Sequence, residues 1–166
     1  MDDASSGLQP EVIDSEQTFG EAVIAGVEQA HARRLLELTL CDPHFGFWPL
    51  SNARLLNAFT AFARLPGRRL VMLAQRYDHV ARRHPRFVRW RTDWSHAVSP
   101  LCLDDRQLEM PGLLLAGTAH ALVLRDPESW AGEWVTDRRR LQSLNEQAQF
   151  WRAHSQPDLP VSITGL

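Results

Sequence analysis

Hydrophobic positions recur along this chain with two different periods, and the switches between them mark its elements. Phe19, Val23, Val27 and Ala30 repeat at helical spacing, which predicts a helix with one inward face. Thr18 and Glu21 form a Ser/Thr-x-x-Glu capping pattern, so order is expected to begin at Thr18. Arg33 and Arg34 suit the negative end of that helix dipole. Leu36, Leu38 and Leu40 then alternate with Glu37, Thr39 and Cys41, the pattern of a half-buried strand. Residues Asp42 to Pro49 read as a loop. Ser51 is placed to cap a second helix, with Leu50 and Leu55 as a hydrophobic staple. Leu55, Phe59 and Phe62 line its inner face, and Pro66-Gly67 stops it. Leu70 to Ala74 is continuously apolar, as a strand covered on both faces should be. Strand, helix and strand at this spacing make a βαβ unit, so the two strands are expected to be parallel neighbours.

Beyond Gln75 the chain turns polar and basic as far as residue 96. A strand is predicted over Val98–Leu103, followed by a loop from Asp104 to Gly112. Leu113–Ala116 and Ala121–Leu124 flank Gly117-Thr118-Ala119-His120, the signature of a hairpin. Trp130–Val135 reads as a short edge strand able to recruit another chain. Thr136 is placed to cap a long helix whose inner stripe is Leu141, Leu144, Ala148 and Trp151. The fold class this predicts is α/β, a single domain with a central mixed β-sheet and flanking helices. Its expected divisions are a flexible acidic arm at residues 1–16, the domain at 17–156 and an extended C-terminal tail at 157–166.

Composition narrows the chemistry. All 18 basic residues are arginine, which excludes Schiff-base catalysis and the lysine of a phosphate-binding Walker loop. Such arginine-only basicity fits a GC-rich bacterial genome. A net charge of −2 and a pI near 6.4 argue against broad nucleic-acid binding. Cys41 and Cys102 are expected to be reduced thiols of a cytoplasmic protein. No apolar run approaches the ~20 residues needed to span a bilayer. The seven histidines are scattered without ligand spacing, so neither metal nor cofactor is expected.

The most distinctive run is Arg82-Arg83-His84-Pro85-Arg86-Phe87-Val88-Arg89-Trp90-Arg91-Thr92-Asp93-Trp94-Ser95-His96. Guanidinium forks match phosphate or carboxylate, and indole faces accept stacked rings. The candidate site is therefore an anion site for a phosphate-bearing ligand, with Arg86, Arg89 and Arg91 as contacts and Trp94 and His96 in support. The competing reading is a solvated basic face with Trp90 and Trp94 packed inward. The acidic arm at 1–16 is a potential internal partner for the patch. Separately, Cys41, Asp42 and His44 sit where the first strand should end, the edge at which open α/β sheets bind ligands. A thiolate hydrolase using Cys41 and His44 is the enzymatic alternative, and a purely structural interaction protein is the third.

The order of elements resembles one half of the phospholipase D-like superfamily. The resemblance rests on a helix ending in Gly67-Arg68-Arg69 before the apolar strand Leu70–Ala74, on later strands through Leu113–Leu124, and on Trp151 near the end of the last helix. His84-Pro85-Arg86-Phe87, Trp94-Ser95-His96 and Thr164-Gly165-Leu166 are similar to blocks of a bacterial family within or near it. That superfamily's His-x-Lys signature, with an aspartate four residues on, has no counterpart around Met110–Asp126, and the chain has no lysine. The resemblance therefore implies a catalytically degenerate half with no catalytic residues. Because such halves pair, it also implies a homodimer.

Overall fold

The structure, a computed structural model, describes residues 12–158. Its elements run α1 (Glu16–Ala32), β1 (Glu37–Cys41), α2 (Ala53–Arg64), β2 (Arg69–Ala74), α3 (Asp78–Arg83), α4 (Pro85–Asp93) and β3 (Val98–Cys102). They continue with β4 (Gly112–Ala116), β5 (His120–Asp126), β6 (Ala131–Val135), α5 (Arg138–Ala153) and β7 (Gln156–Pro157). The strands form one mixed sheet in the order β6-β5-β4-β1-β2-β3-β7. β1 pairs with β2 in parallel, Leu38 opposite Leu70 and Leu40 opposite Met72, as the βαβ reading requires. β2 and β3 are also parallel, whereas β4 runs antiparallel to both β1 and β5.

Alternation along the strands divides the apolar residues between two cores. Leu38, Leu40, Leu70, Met72, Leu114 and Leu122 face one side, where α1 contributes Phe19, Val23 and Val27 and α2 contributes Leu55, Phe59 and Phe62. Val80 of α3 and Phe87 and Trp90 of α4 complete that layer. Cys41, Val71, Leu73, Leu113, Leu115 and Val123 face the other side. There α5 is the only helix among the described residues, inserting Leu141, Ala148 and Trp151. A fully buried strand needs both faces covered, which is why β2 reads as one unbroken apolar run.

The helix starts differ from the sequence expectation at three places, and the reason is the same. The cap is the residue whose own backbone is extended and whose short side chain reaches the free amides. In α1 that residue is Ser15. Its Oγ accepts the Thr18 amide at 3.1 Å, while Thr18 Oγ1 accepts the Ser15 amide at 3.0 Å. Order thus begins before Thr18, and the last part of the expected arm is structured, with Ile13 buried and bridged to Gly132 of β6. Residues 1–11, and with them the arm's proposed contact with the arginine run, lie outside the described residues. Asn52 rather than Ser51 caps α2, and Asp137 rather than Thr136 caps α5. Beyond α5, Gln156 and Pro157 pair antiparallel with β3, while residues 159–166 are outside the described part.

Candidate functional site

The arginine run does not present its five candidate residues on one face. It folds as two short helices, because Pro85 cannot continue α3 but is well suited to the first turn of α4. Helical spacing then sends its residues to opposite faces. Arg86 and Arg89 are exposed, whereas Arg91 is turned inward and only 5% exposed. Its Nε and Nη1 are buried without hydrogen-bond partners, and burial lowers the basicity of its guanidinium. Trp90 packs into the core, its Nε1 donating to Thr60 Oγ1 at 2.8 Å. Trp94 stacks on it at 6.3 Å and lies 5.7 Å from the His96 ring. Arg86, Arg89, Arg91, Trp94 and His96 therefore do not converge on one concavity.

The thiol alternative fails on solvation. Cys41 is fully buried in the core beneath α5. Burial pushes its thiol far above the ordinary cysteine range, and the neighbouring Asp42 charge pushes it further. Both effects oppose formation of the thiolate that such a hydrolase needs. His44 is occupied elsewhere, its Nδ1 accepting the Gly46 amide at 2.9 Å.

A concavity among the described residues lies at the carboxyl end of the sheet. The chain leaves β1 for β2 and β3 on one side and returns to β4 on the other, so the strand order reverses at β1. Crevices beyond the carboxyl ends of strands at such a reversal are where open α/β sheets hold ligands. A cleft of about 1220 Å³ opens there, between the ends of β1 and β5 and across the start of β4. Asp42 forms part of its floor. Asp42 Oδ2 accepts the amides of His44 at 3.1 Å and Phe45 at 2.7 Å. Burial raises the carboxyl's pKa, and these two amides, the Trp48 indole N–H and the nearby His44 oppose the rise. Gly112 keeps the floor open, since an added Cβ would lie 3.3 Å from Asp42 Oδ1 and 3.0 Å from Leu124.

The walls are aromatic and charged. Trp48 is 2% exposed and its Nε1, although near Asp42, makes no hydrogen bond of ordinary geometry. Trp130 follows the β5–β6 turn in the left-handed region, at φ 58°, which is strained for a bulky residue. Its ring packs on Phe19 at 5.7 Å and Phe47 at 6.0 Å. Arg125 and Arg140 line the opposite wall, and both are ion-paired with Glu133. Glu16, Glu109 and Glu128 stand at the rim.

The loop from Asp42 to Asn52 is fastened to α3 and α4 by histidines that sequence reasoning left scattered. The His44 and His79 rings stack at 4.5 Å, and an added Cβ on Gly46 would lie 2.9 Å from the Nδ1 of each. His84 Nε2 lies 3.2 Å from both the Phe45 and Gly46 carbonyls, and its Nδ1 lies 2.9 Å from Ser51 Oγ. Carbonyls only accept, so Nε2 carries a proton; burial favours the neutral ring, in which Nδ1 is the acceptor facing the Ser51 hydroxyl, a hydroxyl also within reach of the Arg83 carbonyl at 3.3 Å. Arg83 caps the exposed ring of Phe47 at 5.1 Å. Each contact joins residues more than thirty positions apart, with no local signal in the sequence. Among the described residues no group of three or more His, Cys, Asp or Glu could hold a metal ion, and no helix is long and apolar enough to cross a membrane.

No family model matches the chain, and no curated protein does. Among solved structures it is similar to TrmBL2, described as an archaeal chromatin protein with a novel mode of DNA binding. The TM-score is 0.64 at 13% identity. The similarity covers 95% of this chain and 57% of that one, so this chain matches little more than half of the neighbour's length. At that identity the likeness shows the α/β fold. It also corrects the expectation that broad nucleic-acid binding is disfavoured. The similar fold is that of a protein described as binding DNA. Whole-chain charge averages over the segment from Arg76 to His96, where six arginines stand against two aspartates.

Proposed function

We infer that the chain is a non-catalytic ligand-binding domain and that its ligand is a small organic molecule held in the cleft at the ends of β1 and β5. The observation that carries this reading is the cleft itself, which is large enough to hold a small ligand and is lined by apolar, aromatic and charged side chains. Its placement at the reversal point of the sheet supports it further. The chemistry of the floor favours binding over turnover. Asp42 is committed to backbone amides, His44 to Gly46, and neither cysteine is a nucleophile: Cys41 is sealed, and the Cys102 thiol is raised by burial and bonded to the Gln75 carbonyl. The reading keeps the resemblance to a degenerate phospholipase D-like half as a proposal, supported by the parallel β1–β2 pair and the Gly67–Arg69 step into β2. It moves the site away from the arginine run. A cytoplasmic setting belongs to the same proposal, supported by two unpaired cysteines. Its test is a small-molecule thermal-shift screen on the protein and on Gln147→Trp, which fills the cleft from an exposed position on α5. Compounds that stabilise the parent should lose their effect on the variant. Equal stabilisation of both proteins would place the ligand elsewhere.

A second reading, contact with nucleic acid, is favoured by the exposed pair Arg86 and Arg89 on α4 and by the DNA-binding description of the similar fold. Phosphate contacts of this kind release counterions, so binding should fall steeply with salt. Arg86→Glu with Arg89→Glu should weaken binding to a duplex and flatten the salt dependence by about two phosphate contacts. Unchanged binding in a mobility-shift titration would exclude this face.

A further inference from the structure

The geometry points to an organic cation, an ammonium carried on a small apolar frame, as the class of ligand the cleft takes. This rests on the cleft being the binding site. The first observation is a charge balance that the wall does not satisfy by itself. Glu16, Asp42, Glu109 and Glu128 line the cleft. Among the described residues none of the four meets an arginine in an ion pair, and the sole basic neighbour is His44, 4.0 Å from Asp42. The two wall cations, Arg125 and Arg140, are both bound to Glu133, a carboxylate that does not line the cleft. Glu133 already compensates part of the charge of both, whereas the four carboxylates have no arginine partner and an incoming cation would supply one.

The second observation is the state of the floor. Asp42 is 8% exposed, and both amide bonds fall on Oδ2. Oδ1 faces the space that Gly112 leaves open. A buried carboxylate whose charge is disfavoured by desolvation gains most from a cation placed at its free oxygen. The third is the aromatic wall. Trp130, partly exposed at the wall and held in a strained backbone conformation, supplies an indole face, the best aromatic partner for an ammonium, and the buried Trp48 packs behind the wall. Phe47 already carries a cation on its ring, the guanidinium of Arg83. The mixture of indole and carboxylate selects a charged head with an apolar body over a bare metal ion.

The test compares choline with 3,3-dimethyl-1-butanol, its uncharged isostere, by tryptophan fluorescence and calorimetry on the full chain. Agmatine and glucose serve as a second cation and a neutral polyol. Choline or agmatine should bind about tenfold or more tightly than the uncharged compounds. The preference should shrink severalfold in Glu109→Gln with Glu128→Gln, two exposed positions where the change leaves the core intact. Binding should also be lost in Gln147→Trp. Equal binding of choline and its isostere, or binding of glucose in preference to both cations, would overturn the cationic class and leave the cleft as the site. If none of the four compounds binds at 10 mM, roughly the weak end of small-ligand affinity, the cationic class is overturned. If cations bind equally well to Gln147→Trp, the cleft reading falls instead.

Discussion

Trp151→Ala is expected to destabilise the protein by about 3–5 kcal/mol, in the range measured for large aromatic truncations in cores. The indole is 2% exposed and sits in the core beneath α5. The opposite face of the sheet is covered by four helices, so the loss of one side chain there leaves neighbours that can close in. The face beneath α5 has a single helix among the described residues. Trp151 lies one turn beyond Ala148 near the end of that helix, where Arg152 also pairs with Glu37 at the start of β1. Removing the indole opens a cavity within the cluster that also holds Val71 and Leu73. Urea titration should show a lower midpoint with little change in slope. A loss under about 1 kcal/mol would mean that α5 is not what holds this face.

Arg91→Met is expected to do the reverse and raise stability by about 1–2 kcal/mol. Arg91 occupies a buried position on α4 beside Val88 and Phe87, with two guanidinium nitrogens lacking partners. Methionine keeps the length and apolar stem while removing a charge that costs desolvation energy. Arg86→Met and Arg89→Met, at exposed positions, should change stability by no more than about 0.5 kcal/mol. The same three substitutions separate the two readings of the arginine run. If Arg91→Met destabilises by more than about 2 kcal/mol, Arg91 serves a buried partner, and the sequence reading of it as an anion contact regains force. Thermal and urea unfolding in phosphate and in a phosphate-free buffer would decide it.

Much of the scaffold was legible because it depends on period. Alternation at Leu38–Leu40 and the apolar run at Leu70–Ala74 specify strands whatever surrounds them, and Phe59 and Phe62 can be buried only if their helix lies on those strands. The caps were legible to within one to three residues. Neighbouring polar side chains, such as Ser51 and Asn52 or Thr136 and Asp137, compete for the same free amides, and only backbone dihedrals decide between them. The arginine run misled because its composition reports charge, not direction. A helix of nine residues sends Arg89 outward and Arg91 inward, two positions apart in sequence but on different faces.

The cleft was half legible. Asp42 and His44 stood out by their position at a strand end, but their chemistry was assigned to the wrong neighbour, Cys41. Alternation sends Cys41 into the α5 core, and the partners that finish the cleft come from Gly112, Arg125, Trp130 and Arg140.

What the amino-acid order determined by itself is the strands β1 to β6, the helices α1, α2 and α5, the parallel βαβ unit and the absence of lysine chemistry, since each follows from local periodicity or from residue type; α3, α4 and β7 did not show in that pattern. Which carboxylates are left unpaired, which guanidinium is buried and where the cleft opens were decided only by the tertiary structure. Those properties depend on how separate elements meet in space, and neither the desolvation of a group nor the pairing of its charge exists until they do.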